Sequence, residues 1–285
     1  MNDAYGSSPT VGSRAPDRAR VDIGRAIRSS IRAVHAAFLS KPIANDLAIY
    51  FHELEPAHWV EFRDGVGALL DMGYRPVTPD EFVTPSRGGK RLFVSFDDNF
   101  RNWHRALPLL AELGLSATFY VNTLPFRDTA SEAEIGAYFD RLAMSRDRQT
   151  LTRAELLEIS ASGHTIGCHS HSHRVLSQLP RSAWAGEIRD ARSRLEDITG
   201  GAVEHFAWPY GMRRYFSEAL RDYCKEIGFR TIANAIPGCQ QQACVDPMNI
   251  FRTDWRFGRP LSYNLTNLCI DGRIYAALFG RSVIG

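Results

Sequence analysis

From residue 46 onward the chain alternates short apolar runs with stretches of helical periodicity, and this alternation restricts the fold more than any other feature. Residues 47–51 (LAIYF), 92–96 (LFVSF), 116–121 (SATFYV), 164–168, 203–208, 229–233 and 249–253 read as strands. Helical spacing occupies 57–73, 103–114, a segment opening at the N-cap residue Thr152, 181–198, 215–227 and a last stretch near 264–279. Residues 122–150 read as a longer irregular or partly helical insertion. Repeated β-α units call for an α/β protein with a parallel sheet covered by helices. Such a sheet closes as a barrel or stays open and doubly wound. The chain carries neither Gly-x-Gly-x-x-Gly nor a glycine-rich phosphate loop, which counts against a nucleotide-binding open sheet. In a barrel the residues just past each strand converge at one mouth. His52, Asp97-Asp98, His169 and Trp208-Pro209-Tyr210 all occupy strand C-terminal ends.

The first part of the chain differs in character. Residues 1–16 are polar and rich in Gly, Ser, Pro and Asn; they offer nothing to bury and are expected to be a disordered tail. In 17–38, Ile23, Ile27, Ile31, Val34 and Phe38 share one helical face, opposite Arg25, Arg28 and Arg32. A helix docked on the domain is the favoured reading; an interfacial helix on anionic lipid has the same pattern. Three segments follow: a tail 1–16, an amphipathic helix and linker 17–45, and a domain 46–285. No apolar h-region follows the polar start, and no apolar run is long enough to span a bilayer. The expected setting is the cytoplasm, with peripheral contact to the inner membrane face through 17–38 as the open alternative. Cys168, Cys224, Cys239, Cys244 and Cys269 are odd in number and scattered, which suits reduced thiols better than a disulfide framework. A Cys239–Cys244 pair is the less favoured alternative. A net charge of +2 argues neither for nor against a nucleic-acid partner, but no basic patch interleaved with aromatics is present, and no such partner is expected.

The chemistry-bearing residues lie in two segments, Ser95-Phe96-Asp97-Asp98 and His169-Ser170-His171-Ser172-His173. Two adjacent acids are poor strand residues, so they are expected to mark the end of the 92–96 strand. In extended chain they cannot face the same way, so one can bind a cation while its neighbour faces a bound water. Alone, such a pair is more often a polar strand exit or a helix N-cap. His169 and His173 are four apart, and on a helical turn they would share a face while His171 points elsewhere. One carboxylate plus two imidazoles is a three-ligand set that leaves a position open for water or substrate, the pattern of metal-assisted hydrolysis.

Four segments together resemble the polysaccharide deacetylases of carbohydrate esterase family 4, the NodB-homology domain. They are Ser95-Phe96-Asp97-Asp98-Asn99-Phe100, Ser116-Ala117-Thr118-Phe119-Tyr120-Val121, Gly163 through His173, and Phe206-Ala207-Trp208-Pro209-Tyr210-Gly211. They keep the family's order and rough spacing, and the resemblance covers about residues 46–280. It implies a distorted (β/α)7–8 barrel with one divalent metal, often zinc, that removes acetyl groups from sugars. Carried over by position, it makes Asp98, His169 and His173 the ligands and Asp97 the general base. Trp208, Pro209 and Tyr210 become a wall of the groove, with a backbone N–H near Tyr210 facing the oxyanion. A site of two imidazoles and one carboxylate also accepts cobalt, nickel or iron.

The sequence departs from the family pattern at three places. Asn99 stands where glycine is usual, which is expected to restrict the loop. Ala207 stands where an arginine often partners the base; Arg252, at the end of the 249–253 strand, is the candidate replacement and a candidate substrate contact. No histidine follows His205, so the usual late general acid is missing. Ile49-Tyr50-Phe51-His52 resembles the early strand-plus-histidine segment of the poly-N-acetylglucosamine deacetylase branch, which implies that His52 is the acid. The leading reading is an N-deacetylase acting on an amino sugar in a glycan, oligosaccharide or lipid-linked saccharide. Open alternatives are the same site on another acyl amide, such as a formylated sugar or cyclic ureide, and a degenerate carbohydrate-binding domain without activity.

Overall fold

The structure is a computed structural model that describes residues 43–143, 148–237 and 245–269. The tail 1–16, the amphipathic stretch 17–38, the Cys239–Cys244 alternative and the end of the last expected helix lie outside the described residues. Eight strands are described: β1 Asp46–Phe51, β2 Tyr74–Pro76, β3 Lys90–Asp98, β4 Ala117–Val121, β5 Thr165–Cys168, β6 His205–Ala207, β7 Thr231–Ala233 and β8 Thr253–Asp254. Their order is β7-β6-β5-β4-β3-β1-β8, with β2 added on β3. Each pairing among them is parallel. Ile250 makes a parallel bridge to Ala233 of β7, and β8 then pairs with Ile49 and Tyr50 of β1. One short segment therefore touches both edges of the sheet and closes it as a distorted barrel.

The period of two along the strands sorts the side chains into two cores. Ile49, Phe51, Val94, Phe96, Phe119, Val121, Ile166 and Phe206 pack against the helices, meeting Phe62, Val66, Trp103, Leu156, Ile188 and Leu195. Phe96 stacks on Phe119 with ring centroids 4.9 Å apart. Ala48, Phe93, Tyr120, Ala207, Ala233 and Ile250 form a second cluster on the inner face. Every residue of β1 and β4 is buried, as expected where a parallel sheet is covered on both sides. Gly167 is required where it stands: a Cβ there would meet the Tyr120 ring at 2.5 Å.

Most expected elements are present with shifted ends. The 181–198 helix is composite: a 3-10 turn Arg181–Ala183, a π turn Ala185–Arg189 and an α-helix Asp190–Thr199. The insertion holds the helix Glu132–Leu142, started by a Ser131–Glu134 capping box. The helix Arg153–Ala161 starts at Thr152, which caps it together with Glu155. Two expectations need correction. Asp97 and Asp98 do not follow the strand; β3 runs through both. Residues 169–173 are not helical but form a loop, with Ser170 at φ 69° and His173 at φ 55°.

Candidate active site

Parity along β3 explains how two neighbouring acids reach one cleft. Phe93, Ser95 and Asp97 face inward, so strict alternation would send Asp98 to the helix side. Asp98 instead has φ 89°, a left-handed value that reverses its direction at the last strand residue. Both carboxylates now line a cleft of about 600 Å³ at the C-terminal ends of the strands, together with His52, His169, His173, Trp208 and Tyr210. Among the described residues five non-glycines have positive φ, and Asp98, Ser170, His173 and Tyr210 are four of them. Such strain persists only where the surroundings over-determine it, and here it is concentrated at one site.

Asp98 Oδ1 lies 3.2 Å from His173 Nε2 and 3.5 Å from His169 Nε2. Donor atoms of the three residues all lie within 4.8 Å of one another. His169 Nδ1 is 2.8 Å from the Ala207 carbonyl oxygen. A carbonyl only accepts, so Nδ1 carries the hydrogen and a neutral His169 presents a bare Nε2 lone pair to the cleft. Asp98 Oδ1 is buried and has no hydrogen-bond partner. Burial works to raise the Asp98 pKa, but His173, His169 and His52 hold it down to about 2. Burial brings His173 down to about 4 against the pull of Asp98. At neutral pH Asp98 is therefore a carboxylate and His173 a neutral imidazole, the forms in which these groups bind a divalent cation. The donor chemistry and the orphaned oxygen both fit such an ion.

Asp97 is held from within the barrel. Arg252 donates Nη1 and Nη2 to its two oxygens at 2.6 and 2.7 Å. Arg252 also donates to Ser95 Oγ and to the Asn234 carbonyl, each at 2.9 Å. Its guanidinium sits 4.8 Å from the Tyr50 ring centroid and 5.1 Å from that of Tyr120. Burial opposes its charge, yet Asp97 more than offsets this, and its pKa is raised. Arg252 is 0% exposed and does not line the cleft, so its expected role as a substrate contact is corrected; of its two expected roles the structure shows the other, a partner for Asp97.

The sequence model for "Polysaccharide deacetylase" matches residues 84–232, more than half of the chain. The chain belongs to the polysaccharide deacetylase family. The protein YheN of Bacillus subtilis (strain 168), provisionally named a polysaccharide deacetylase, is 30% identical over 130 residues, which are 44% of this chain and 37% of that protein. The chain thus spans little more than a third of that curated relative. Among solved structures, a deacetylase of Streptococcus pyogenes, PplD in complex with acetate, superposes with TM-score 0.64 at 16% identity, covering 81% of this chain and all of that one. IcaB from Ammonifex degensii gives TM-score 0.64 at 19% identity over 79% of this chain and 97% of that one. At these identities the likeness is one of fold.

Within that family the chain has local features of its own. Asn99, in place of the usual glycine, is not left-handed; the left-handed residue is Asp98. The buried Asn99 side chain donates to the Asn122 carbonyl and accepts from the Leu151 N–H, both at 2.9 Å. Rather than only restricting a loop, it ties three segments together. Asn122 in turn donates its backbone N–H to the Asp98 carbonyl at 3.0 Å and its side-chain amide to the carbonyls of His169 and Ser170. One buried residue at the end of β4 therefore joins the two strand ends that carry the ligand set.

His52 directly follows β1 and lines the cleft, and its carbonyl accepts from Trp103 Nε1 at 2.6 Å. His171 points away, with Nδ1 2.8 Å from Thr123 Oγ1. Trp208 and Tyr210 line the cleft, whereas Pro209 forms the turn between them. Sequence reasoning missed the opposite wall: Glu53, His58, Asp254, Trp255, Arg256 and Phe257. Phe257 stacks on His58 at 4.6 Å. The run Trp255-Arg256-Phe257 directly after β8 carried the available signal, but it lies past the end of the strand read at 249–253.

Proposed function

We propose that this chain is a metal-dependent hydrolase that removes an N-acetyl group from an amino sugar in a glycan, oligosaccharide or lipid-linked saccharide. The observation that carries this reading is the convergence, in one cleft, of the unpartnered Asp98 Oδ1 and two imidazole Nε2 atoms beside an Arg252-clamped Asp97. Asp98, His169 and His173 would hold one divalent ion, most simply zinc, with cobalt, nickel or iron compatible. When bound, that ion supplies a Lewis acid and an acidified water. Asp97 uses about half of its roughly four lone-pair sites on Arg252, and the remainder can take a proton from the attacking water. The Tyr210 N–H has no acceptor among the described residues and serves the developing oxyanion. His52 gives a proton to the leaving amine. Aromatic rings of Trp208, Tyr210, Trp255 and Phe257 around an open cleft suit sugar faces. Acetate, named in the Streptococcus pyogenes structure, is the product this reaction releases.

Amine release from N-acetylated chito-oligosaccharides tests the reading, alongside elemental analysis. About one metal per chain is expected, with activity abolished by a chelator and restored by zinc. A chain without metal that stays inactive under metal supplementation would refute it. His173→Ala should lose both metal and turnover. His52→Ala should keep the metal and lower kcat on the amide by about a hundredfold or more, with less effect on an acetyl ester, whose leaving group needs a proton less. Unchanged kcat on the amide would remove His52 from the mechanism.

A further inference from the structure

Glu187 is a buried carboxylate that none of the recognised motifs contains. It sits in the π turn Ala185–Arg189, an irregularity often found beside functional sites. Both side-chain oxygens end on one residue of the histidine loop. Oε1 accepts from Ser172 Oγ at 2.5 Å and Oε2 from the Ser172 N–H at 3.0 Å. The Glu187 backbone carbonyl takes the His171 N–H at 2.8 Å. Glu187 is only 8% exposed and has no ion pair among the described residues. Burying a carboxylate without a cation is unfavourable, and an apolar side chain of similar volume would cost less. The charge therefore needs a reason.

The loop supplies one. Ser170 and His173, on either side of the clamped segment, are both left-handed, and such conformations persist only under external restraint. The two histidines are also anchored differently. The His169 ring is fixed through Nδ1 by the Ala207 carbonyl, but buried His173 Nδ1 has no hydrogen-bond partner. The His173 ring meets Tyr210 edge-on at 4.7 Å but has no hydrogen bond on its far nitrogen, so its position depends heavily on its backbone. That backbone is held at Ser172 by Glu187 on one side and by Arg141 Nε, donating to the Ser172 carbonyl at 3.1 Å, on the other. Hydrogen bonds to a charged acceptor are the stronger kind and suit this restraint.

We propose that Glu187 is a positioning residue for His173: its carboxylate clamps Ser172, holds the left-handed loop, and so sets the affinity of the Asp98–His169–His173 site for a divalent cation. This rests on reading those three residues as a cation site.

The test uses the full chain as wild type, Glu187→Gln, Ser172→Ala and the double variant. Zinc affinity is measured by competition with a chelating dye well below the unfolding temperature, and thermal unfolding is followed separately in chelator. Glu187→Gln should weaken zinc binding about 10- to 100-fold, the range for groups that orient metal ligands. Ser172→Ala, which removes one of the two donors, should weaken it less, and the double variant should match Glu187→Gln alone. Ser172→Ala keeps the test alive if Glu187→Gln does not fold. Lower unfolding temperatures with unchanged zinc affinity in both single variants would show a merely structural role and overturn the proposal. Wild type that binds no zinc would overturn the cation reading and the clamp with it, whereas wild-type binding with no loss in the variants overturns the clamp alone.

Discussion

Asp97→Asn is expected to retain the bound metal while kcat falls by roughly 10²- to 10⁴-fold, the range for a lost general base. Asparagine has nearly the same shape, and Asp97 is not among the three converging donors, so the cation site keeps its atoms. What disappears is a carboxylate able to take a proton. The substitution also turns an amide toward Arg252, whose Nη atoms lie 2.6 and 2.7 Å from the present oxygens. At most one of those contacts survives as a hydrogen bond, because the amide nitrogen only donates. The variant should therefore be less stable as well as inactive, and kinetics must be compared where both proteins are folded. Metal content by elemental analysis separates the two explanations. Activity lost in proportion to metal would mean that Asp97 supports the ligand set, and full activity would mean that it is not the base.

The sequence made the long strands, both acids and both histidines legible, because each rests on short-range pattern. LFVSF and SATFYV are long enough to be read as buried apolar runs, and they became β3 and β4. The local geometry departs from the expected one at both the acids and the histidines. Adjacent acids read as a strand end because extended chain separates neighbours; a left-handed φ at Asp98 overrides that rule within the strand. The four-residue histidine spacing read as a helical turn, yet a loop with two left-handed residues produces the same convergence. Spacing constrains which atoms can meet but not the path between them.

The three-residue β2 carries too little pattern to be seen, and the strand read at 249–253 ends short of the cleft wall that follows β8. Glu187 was invisible for another reason: a glutamate in an amphipathic helix is ordinary until its carboxylate is found on Ser172. Arg252 was legible as a partner for the base only through the family resemblance, because the 155 residues between it and Asp97 leave no local signal.

Arg252 carries the other large prediction. Arg252→Met should cost about 3–5 kcal/mol of stability, the range for breaking a buried ion pair by removing one partner. The methionine fills part of the space between Tyr50 and Tyr120 but leaves Asp97, which is almost fully buried, facing no counter-charge. Ser95 Oγ and the Asn234 carbonyl lose a donor as well. Turnover should fall with stability, since nothing else described holds both oxygens of the base. Arg252→Lys is expected to lie between, because an ammonium keeps the charge but cannot make the two-pronged contact. The decisive measurement is denaturant unfolding of the double variant Asp97→Asn/Arg252→Met. It removes both charges from the barrel interior, so its loss of stability should be smaller than the sum of the two single losses. Strict additivity would mean that the two residues do not act as a pair. If Arg252→Met alone were neutral, the barrel would have to tolerate an unpaired Asp97, and orientation of the base would have to be sought elsewhere in the cleft.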